Sequence, residues 1–220
     1  MLKLAVLISG EGSNLQAIIN SIQAGQLDAR IVLVLSNRPE ARGLARAAAA
    51  GLPMATLDHR LYTDRQRYDE ALQALIDQAE PDLVVLAGFM RILSPGLVQH
   101  FHHRMLNIHP SLLPRHKGLH THERALADGD REHGCSVHVV DEELDGGAVL
   151  AQAILTIHTD DDAHSLADRV HQLEHQLYPA VLQQLATGQL RLQEARDGKI
   201  LYYRADADGM LLLVERLCPG

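Results

Sequence analysis

The sequence predicts an α/β protein with an open, mostly parallel, twisted sheet and helices on both of its faces. Three observations lead to this fold class. Continuous apolar runs, typical of strands buried on both faces, recur along the chain, helix-like stretches alternate with them, and Gly, Asn and Pro mark the boundaries. The predicted strands are residues 4–8, 31–35 and 83–87, and the predicted helices are residues 14–23, 41–50 and 64–78.

The second half of the chain continues this series. It contains three further predicted strands and a long predicted helix that Gly188 ends. The strands are residues 105–109, 135–140 and 149–156, and the helix is residues 162–187. Because no linker, low-complexity segment or internal repeat interrupts the pattern, we expect a single domain.

Composition narrows the class of protein. The 220 residues are 46% apolar but only 3% aromatic, and the formal net charge is −8. A nucleic-acid surface needs a basic face, so we expect no nucleic-acid partner. No apolar stretch approaches the ~20 residues of a membrane span, and the opening apolar run is too short for a signal peptide, so we expect no membrane partner. Two distant cysteines, Cys135 and Cys218, fit a reducing compartment and predict a cytoplasmic protein.

A glycine-containing loop, residues 9–14, separates the first predicted strand from the first predicted helix. At such a place, backbone N–H groups and a helix N-terminus can bind an anion. The dinucleotide fingerprint requires a third glycine where this chain has Leu15, so the loop predicts a site for one phosphate group rather than a pyrophosphate. A simple glycine turn, in which Ser13 or Asn14 caps the helix, is equally compatible with the sequence.

Asn107 and His109 lie two residues apart in a predicted strand, so their side chains point to one face. An amide donor beside an imidazole that titrates near neutral pH can stabilise an oxyanion and move a proton. The loop at residues 141–147 supplies a carboxylate that can orient this imidazole and favour its charged form. The alternative is that both polar side chains only satisfy buried backbone groups near a strand end.

Residues 89–95 follow the third predicted strand, at an edge of the sheet where α/β proteins bind ligands. Met90 and Ile92 can form an apolar wall for a flat ring, and Arg91 can meet a carboxylate. The alternative is that Met90 and Ile92 are ordinary core residues.

Histidines form two further patterns. His171 and His175 match the inverted zinc-peptidase motif H-x-x-E-H, but no third ligand is evident, and Glu174 can instead bind an amine or hydroxyl of a ligand. A second group at residues 116–122 has no ligand-pair periodicity and reads as loop sequence.

Several segments together carry a resemblance to a known family: LISGEGSNLQAII, VVLAGFMRILSP, LNIHPSLLP, GLHTH, EHGCSVHVV, ELDGG and EHQLYP. With them, residues 4–188 resemble the phosphoribosylglycinamide formyltransferase family, the folate-dependent transformylases of purine biosynthesis. The LNIHPSLLP segment marks the wider group of formyltransferases that use 10-formyltetrahydrofolate. The resemblance implies a single-domain, Rossmann-like formyltransferase fold. We expect a phosphate-binding half (residues 1–100), a catalytic and folate half (101–188) and short C-terminal strands (189–220) around turns at Asp197-Gly198 and Asp208-Gly209.

The resemblance implies three sets of site residues. The catalytic set is Asn107, His109 and Asp145. The substrate set is Gly12, Ser13, Asn14, His171 and Glu174, of which the first three hold the ribose 5-phosphate. The folate set is Arg65, Met90, Arg91, Ile92, Leu93, Asn107, Asp141 and Asp145. Two positions depart from the family pattern, because His171 replaces a usual glutamine and Lys117 a common proline.

The implied reaction is direct transfer of a formyl group from 10-formyltetrahydrofolate to glycinamide ribonucleotide, with no metal and no covalent enzyme intermediate. Both partners are small molecules, and we expect a monomer or weak homodimer. Four alternatives stay open. A methionyl-tRNA formyltransferase needs an RNA-binding domain and a basic surface, and a formyltetrahydrofolate hydrolase is expected to carry an additional N-terminal regulatory domain. A zinc peptidase needs a bound metal, and a non-catalytic phosphate-binding module does not need the catalytic set.

Overall fold

The computed structural model describes the backbone of residues 1–192, 200–205 and 211–217, and the side chains of residues 1–192. The chain forms two compact units, Met1–Asn107 and Ile108–Gly220. Cys218 and the predicted turns at Asp197-Gly198 and Asp208-Gly209 lie outside the described residues. The division of one domain into residues 1–100, 101–188 and 189–220 stays a prediction.

The first unit is built on a parallel sheet. Its strands are β1 (Leu2–Ile8), β2 (Ala29–Ser36), β3 (Met54–Thr56), β4 (Leu83–Leu86) and the first three residues of β5 (Met105–His109), in the spatial order β3-β2-β1-β4-β5. The last two residues of β5 belong to the second unit. All the pairings within this series are parallel. β1 pairs with strands on both sides, and Leu4 to Ile8 are 0% exposed, which explains why this strand is a continuous apolar run.

Four α-helices lie between these strands along the chain: α1 (Ser13–Gln23), α2 (Arg42–Ala49), α3 (Arg65–Gln78) and α4 (Pro95–His100). A short 3₁₀ helix, His59–Leu61, precedes α3. The carboxylate of Asp64 accepts a hydrogen bond from the backbone N–H of Gln66 and caps α3, so this helix begins one residue after its predicted start. The sequence analysis missed β3 and α4. Both are too short to show a hydrophobic period, and Met54 in β3 is exposed.

The second unit mixes strand directions. It contains α5 (Thr121–Ala127), β6 (Glu132–Val139), β7 (Val149–Thr156), α6 (Ala163–Ala186), β8 (Ile200–Ala205) and β9 (Leu211–Leu217). β6 pairs antiparallel with β7, β7 pairs parallel with β8, and β8 pairs antiparallel with β9. Parallel pairing is therefore the commoner kind among the described strands, as predicted. α5 corrects the expectation that residues 116–122 are loop throughout, since a helix begins at Thr121.

The long helix α6 lies within one residue of its predicted bounds at each end. The Asp162 carboxylate accepts hydrogen bonds from the backbone N–H groups of His164 and Ser165, both at 2.8 Å, and the Ser165 hydroxyl accepts one from the Asp162 N–H at 3.0 Å. Gly188, with φ +71°, follows the C-terminal turn. Within the described part of the chain, no helix is long and apolar enough to cross a lipid bilayer.

Candidate active site

The glycine loop of the first unit has a shape that only glycine fits. Gly12 precedes α1 with φ +70°, and a Cβ atom there would lie 2.6 Å from the Cα of Gly43. That distance is shorter than any ordinary Cβ contact, so a side chain at residue 12 would displace backbone. No side chain caps α1. The alternative in which Ser13 or Asn14 caps this helix is therefore wrong.

Residues of α2 support the same loop. The N–H of Gly43 donates to the carbonyl of Gly10 at 3.0 Å, and Arg46 Nε donates to the carbonyl of Glu11 at 2.8 Å. Arg42 and Glu11 form an exposed ion pair at 3.2 Å. These contacts fix the backbone before the N-terminus of α1, which is the place predicted to bind one phosphate. The sequence pattern gave no sign that α2 does this.

The segment after β4 exposes apolar side chains. Met90 is 64% exposed and Ile92 is 63% exposed, so the alternative that they are core residues is wrong, whereas Leu93 is buried at 8%. The N–H of Met90 donates to Ser9 Oγ at 2.7 Å, and Ser9 Oγ donates to Asn37 Oδ1 at 2.6 Å. A large exposed apolar pair on a supported backbone is a suitable surface for a flat ring.

α3 supports the other end of this segment. Arg65 Nη2 donates to the carbonyl of Leu93, and the N–H of Ser94 donates to Asp69 Oδ2 at 2.6 Å. The guanidinium of Arg91 stacks over the ring of Tyr68, 4.2 Å from its centroid. The structure thus gives Arg65 and Arg91 intramolecular partners. A role for either in binding the glutamate portion of folate stays a prediction.

In the second unit, the imidazole of His109 lies between two acceptors. Its Nδ1 is 3.4 Å from Asp145 Oδ2, and its Nε2 is 3.0 Å from the carbonyl of His116. The His109 side chain is 8% exposed and that of Asp145 is 9% exposed. Because a carboxylate and a carbonyl both accept, only the imidazolium, with a proton on each nitrogen, satisfies both contacts. This arrangement can present a positive charge to a developing oxyanion.

A second histidine faces Asp145 but does not neutralise it. His138 Nε2 lies 3.7 Å from Asp145 Oδ1, and His138 Nδ1 donates to the carbonyl of Val139 at 3.0 Å. Burial lowers the pKa of His138, although the Val139 carbonyl and the Asp145 charge oppose this shift. His138 is therefore neutral near pH 7. The negative charge of Asp145 is then balanced by no charge on His138, and the carboxylate can pair with His109.

The loop that carries Asp145 is also tightly shaped. Asp145 has φ +50°, and its Oδ2 accepts a hydrogen bond from the N–H of Gly118 at 2.8 Å. A Cβ at Gly147 would lie 1.9 Å from the carbonyl oxygen of Val139, so residue 147 must be glycine. Asp141 Oδ1 accepts from the N–H of Glu143 at 3.0 Å, a turn contact within the loop. The close approach of Val139 explains the glycine at residue 147 in structural terms.

The histidine-rich pattern of α6 does not form a converging set. His171 is exposed, Glu174 is 4% exposed, and the rings of His171 and His175 stack with centroids 6.5 Å apart. The charge of Glu174 adds to burial in raising the pKa values of Cys135 and Tyr178, which places its carboxylate near both groups. Among the described side chains, no group of three or more His, Cys, Asp or Glu residues could hold a metal ion. Substrate contacts of His171 and Glu174 stay predictions.

Asn107 lies in β5, as predicted, and precedes His109 by two residues on that strand. The sequence analysis missed His116, Asp130 and His138 as residues around the His109–Asp145 pair. The EHGCSVHVV motif contains His138. Because side chains alternate between the two faces of a strand, the position of His138 in this predicted strand could have indicated the face on which it lies. The contacts of His116 depend on loop conformation, which no local pattern predicted.

Comparison with known proteins assigns the family. The family model described as formyl transferase matches residues 2–182. Phosphoribosylglycinamide formyltransferase of Escherichia coli (strain K12) is 48% identical over 193 residues, covering 88% of this chain and 91% of that protein. The same-named protein of Haemophilus influenzae is 43% identical over 204 residues, covering 91% of this chain and 96% of that protein.

Solved structures agree with this assignment. The phosphoribosylglycinamide formyltransferase of Coxiella burnetii, in complex with CHES, is 51% identical with a TM-score of 0.82, covering 85% of this chain and 88% of that chain. Glycinamide ribonucleotide transformylase 1 of Symbiobacterium toebii is 38% identical with a TM-score of 0.84, covering 87% of this chain and 90% of that chain. The predicted α/β fold is thereby confirmed. The chain belongs to the formyl transferase family, among its phosphoribosylglycinamide formyltransferases.

Proposed function

We propose that this enzyme transfers the formyl group of 10-formyltetrahydrofolate to the amine of 5-phosphoribosylglycinamide. The products are formylglycinamide ribonucleotide and tetrahydrofolate, in the synthesis of purine nucleotides. The observation that carries the proposal is the buried His109–Asp145 pair, completed by the carbonyl of His116, at the end of β5. The named relatives, 43% and 48% identical over most of the chain, support the choice of substrates.

The reaction joins the glycinamide nitrogen to the formyl carbon. The amine attacks that carbon, and the carbonyl oxygen becomes an oxyanion in a tetrahedral intermediate. The His109 imidazolium and the amide of Asn107 stabilise the oxyanion, and Asp145 orients the imidazole and pairs with its charge. The bond from carbon to the folate nitrogen N10 then breaks. The proton lost by the amine passes to N10, through a water molecule that Asp145 and His109 orient.

Ligand binding is assigned to residues with suitable surfaces. Gly12, Ser13 and Asn14 bind the ribose phosphate at the N-terminus of α1, and Met90 and Ile92 contact the folate ring. The remaining members of the substrate and folate sets are Arg65, Arg91, Leu93, Asn107, Asp141, Asp145, His171 and Glu174. This function needs no metal and no nucleic acid. We also propose a cytoplasmic monomer or weak homodimer, in keeping with the free, buried thiol of Cys135.

A competition assay tests the function. Purified enzyme with 10-formyltetrahydrofolate should release tetrahydrofolate rapidly when glycinamide ribonucleotide is present, and much more slowly with initiator tRNA or water as the acceptor. A His109→Gln variant, which cannot carry the positive charge, should lose this activity. Faster transfer to tRNA, or folate release that does not depend on the ribonucleotide, would overturn the assignment.

A further inference from the structure

The backbone of residues 115–118, here called the 115–118 segment, contacts both members of the His109–Asp145 pair. The carbonyl of His116 accepts from His109 Nε2 at 3.0 Å, and the N–H of Gly118 donates to Asp145 Oδ2 at 2.8 Å. His116 and Gly118 have φ values of +53° and +79°, and the first of these is costly for a residue with a side chain. The position of this segment therefore decides where the imidazole and the carboxylate lie.

Asp130 binds two consecutive residues of the segment. Its Oδ2 accepts from His116 Nε2 at 2.8 Å, and its Oδ1 accepts from Arg115 Nη2. The side chains of Asp130 and His116 are 5% and 7% exposed. Burial raises the pKa of Asp130, but the hydrogen bond from His116 and the nearby Arg115 charge outweigh it and hold the pKa below its ordinary value. Asp130 is therefore an ionised, buried acceptor.

The segment has other contacts, one of them buried: Ser111, which is 0% exposed, donates from its Oγ to the carbonyl of Arg115 at 2.7 Å. Arg124 Nη2 donates to the carbonyl of Lys117 at 2.6 Å, and Lys117 Nζ pairs with Glu143 at 2.7 Å. The Glu143 side chain is 70% exposed, and ion pairs in solvent contribute little. Loss of a partner from a buried, hydrogen-bonded ion pair costs much more. Of these contacts, the one between Asp130 and His116 holds the residue whose carbonyl meets His109.

We propose that Asp130, acting through the side chain of His116, is a positioning residue for formyl transfer. Asp130 fixes the ring of His116, the ring fixes the His116 carbonyl, and that carbonyl orients the charged imidazole of His109. Neither Asp130 nor His116 touches the reacting atoms. This inference rests on the proposed function, because formyl transfer is what gives His109 a catalytic role.

Two substitutions of His116 test the chain of contacts. His116→Leu removes the donor at similar volume, whereas His116→Gln places an amide N–H near the position of Nε2 and can still donate to Asp130. We expect kcat to fall roughly tenfold to a hundredfold in His116→Leu, since small misplacements of a catalytic group have effects of this size. His116→Gln should retain kcat within about threefold, and the KM values of both substrates should change little in either variant.

Asp130→Asn provides an independent test, because it removes the charge and preserves the shape. Its kcat should fall in the same range as that of His116→Leu. The matched controls are His100→Leu and Asp77→Asn, which break a similar histidine–aspartate contact of 2.9 Å in the first unit. Their kcat should equal that of the unmodified enzyme. Should Asp130→Asn fail to fold, the two His116 variants decide the question.

NMR of the enzyme labelled with ¹⁵N at histidine separates positioning from general stability. The Nε2–H signal of His109 should be protected from exchange in the unmodified enzyme and in His116→Gln, and lose protection in His116→Leu. Normal kcat in folded His116→Leu, or a reduced kcat with an unchanged His109 signal, would overturn the inference. Absence of transfer to glycinamide ribonucleotide by the unmodified enzyme would instead refute the proposed function.

Discussion

The first unit contains a glycine loop before a helix N-terminus and exposed apolar side chains, whereas the second contains buried ionisable groups that contact one another. Gly12 has a conformation and a close approach to Gly43 that exclude any side chain, and Met90 is 64% exposed. By contrast, His109 and Asp145 are almost fully buried and 3.4 Å apart. The difference predicts that substitutions in the first unit change substrate binding through shape, and substitutions in the second change the rate through charge.

The largest expected effect is that of Asp145→Asn. This substitution removes the charge with little change in shape, so the protonated imidazole of His109 loses its ionic partner. We expect kcat to fall on the order of a hundredfold or more, with KM values much less affected. Steady-state kinetics measure this, and Asp168→Asn on the exposed surface of α6 is the control. Near-normal kcat would remove Asp145 from the mechanism. It would also contradict the prediction that substitutions in the second unit change the rate through charge.

Gly12→Val should have the next largest effect, on binding rather than on rate. A side chain at residue 12 meets the backbone of Gly43 and obstructs the approach of a phosphate to the N-terminus of α1. The KM for the ribonucleotide should rise about tenfold or more, and that for the folate should change far less. Gly10→Ala, whose Cβ has nothing within 4 Å, is the matched control. Equal losses for both substrates would contradict the phosphate assignment.

The loss of stability at acid pH should also differ between the two units. His133 is 1% exposed, and its burial, aided by the charge of His122, lowers its pKa to about 4. The unfolded chain, with an ordinary histidine pKa of about 6.5, therefore binds more protons between these two values. The free energy of unfolding should fall as pH drops from about 6.5 to about 4, by up to about 1.4 kcal/mol per pH unit from this group.

Urea unfolding at several pH values measures this dependence. The second unit should also lose hydrogen-exchange protection first as the pH falls, because burial lowers the pKa values of His122 and His138 there as well. His133→Gln should flatten the dependence, whereas His164→Gln, at an exposed position, should not. An unchanged slope in His133→Gln would refute the neutral, buried state of this histidine.

The smallest expected effect is that of a chelator, which should leave kcat unchanged. The proposed chemistry uses the His109 charge where other enzymes use a metal ion. His175→Ala should likewise not abolish activity through loss of metal. Activity lost with a chelator and restored by zinc would overturn this prediction.

The accuracy of the sequence-based predictions differed between kinds of feature. The bounds of β5 and β7 were predicted without error, because apolar residues predominate in both, and Pro110 ends the first. The closeness of His109 to Asp145 was expected from the resemblance and the loop position. α5 was missed because its seven residues show no clear apolar period. Exposed Met90 and Ile92 could not be told from core residues, since apolar composition does not reveal burial.

The sequence by itself determined the longer strands and helices and the glycine loop, because these depend on local periodicity and local backbone preference. Only the tertiary structure decided which groups surround His109. Asp130 binds His116 across fourteen residues of chain, and the His116 carbonyl turns toward His109 through a left-handed backbone conformation. Such contacts form when a loop packs against distant residues, and their geometry follows from the packing of the unit rather than from any local pattern.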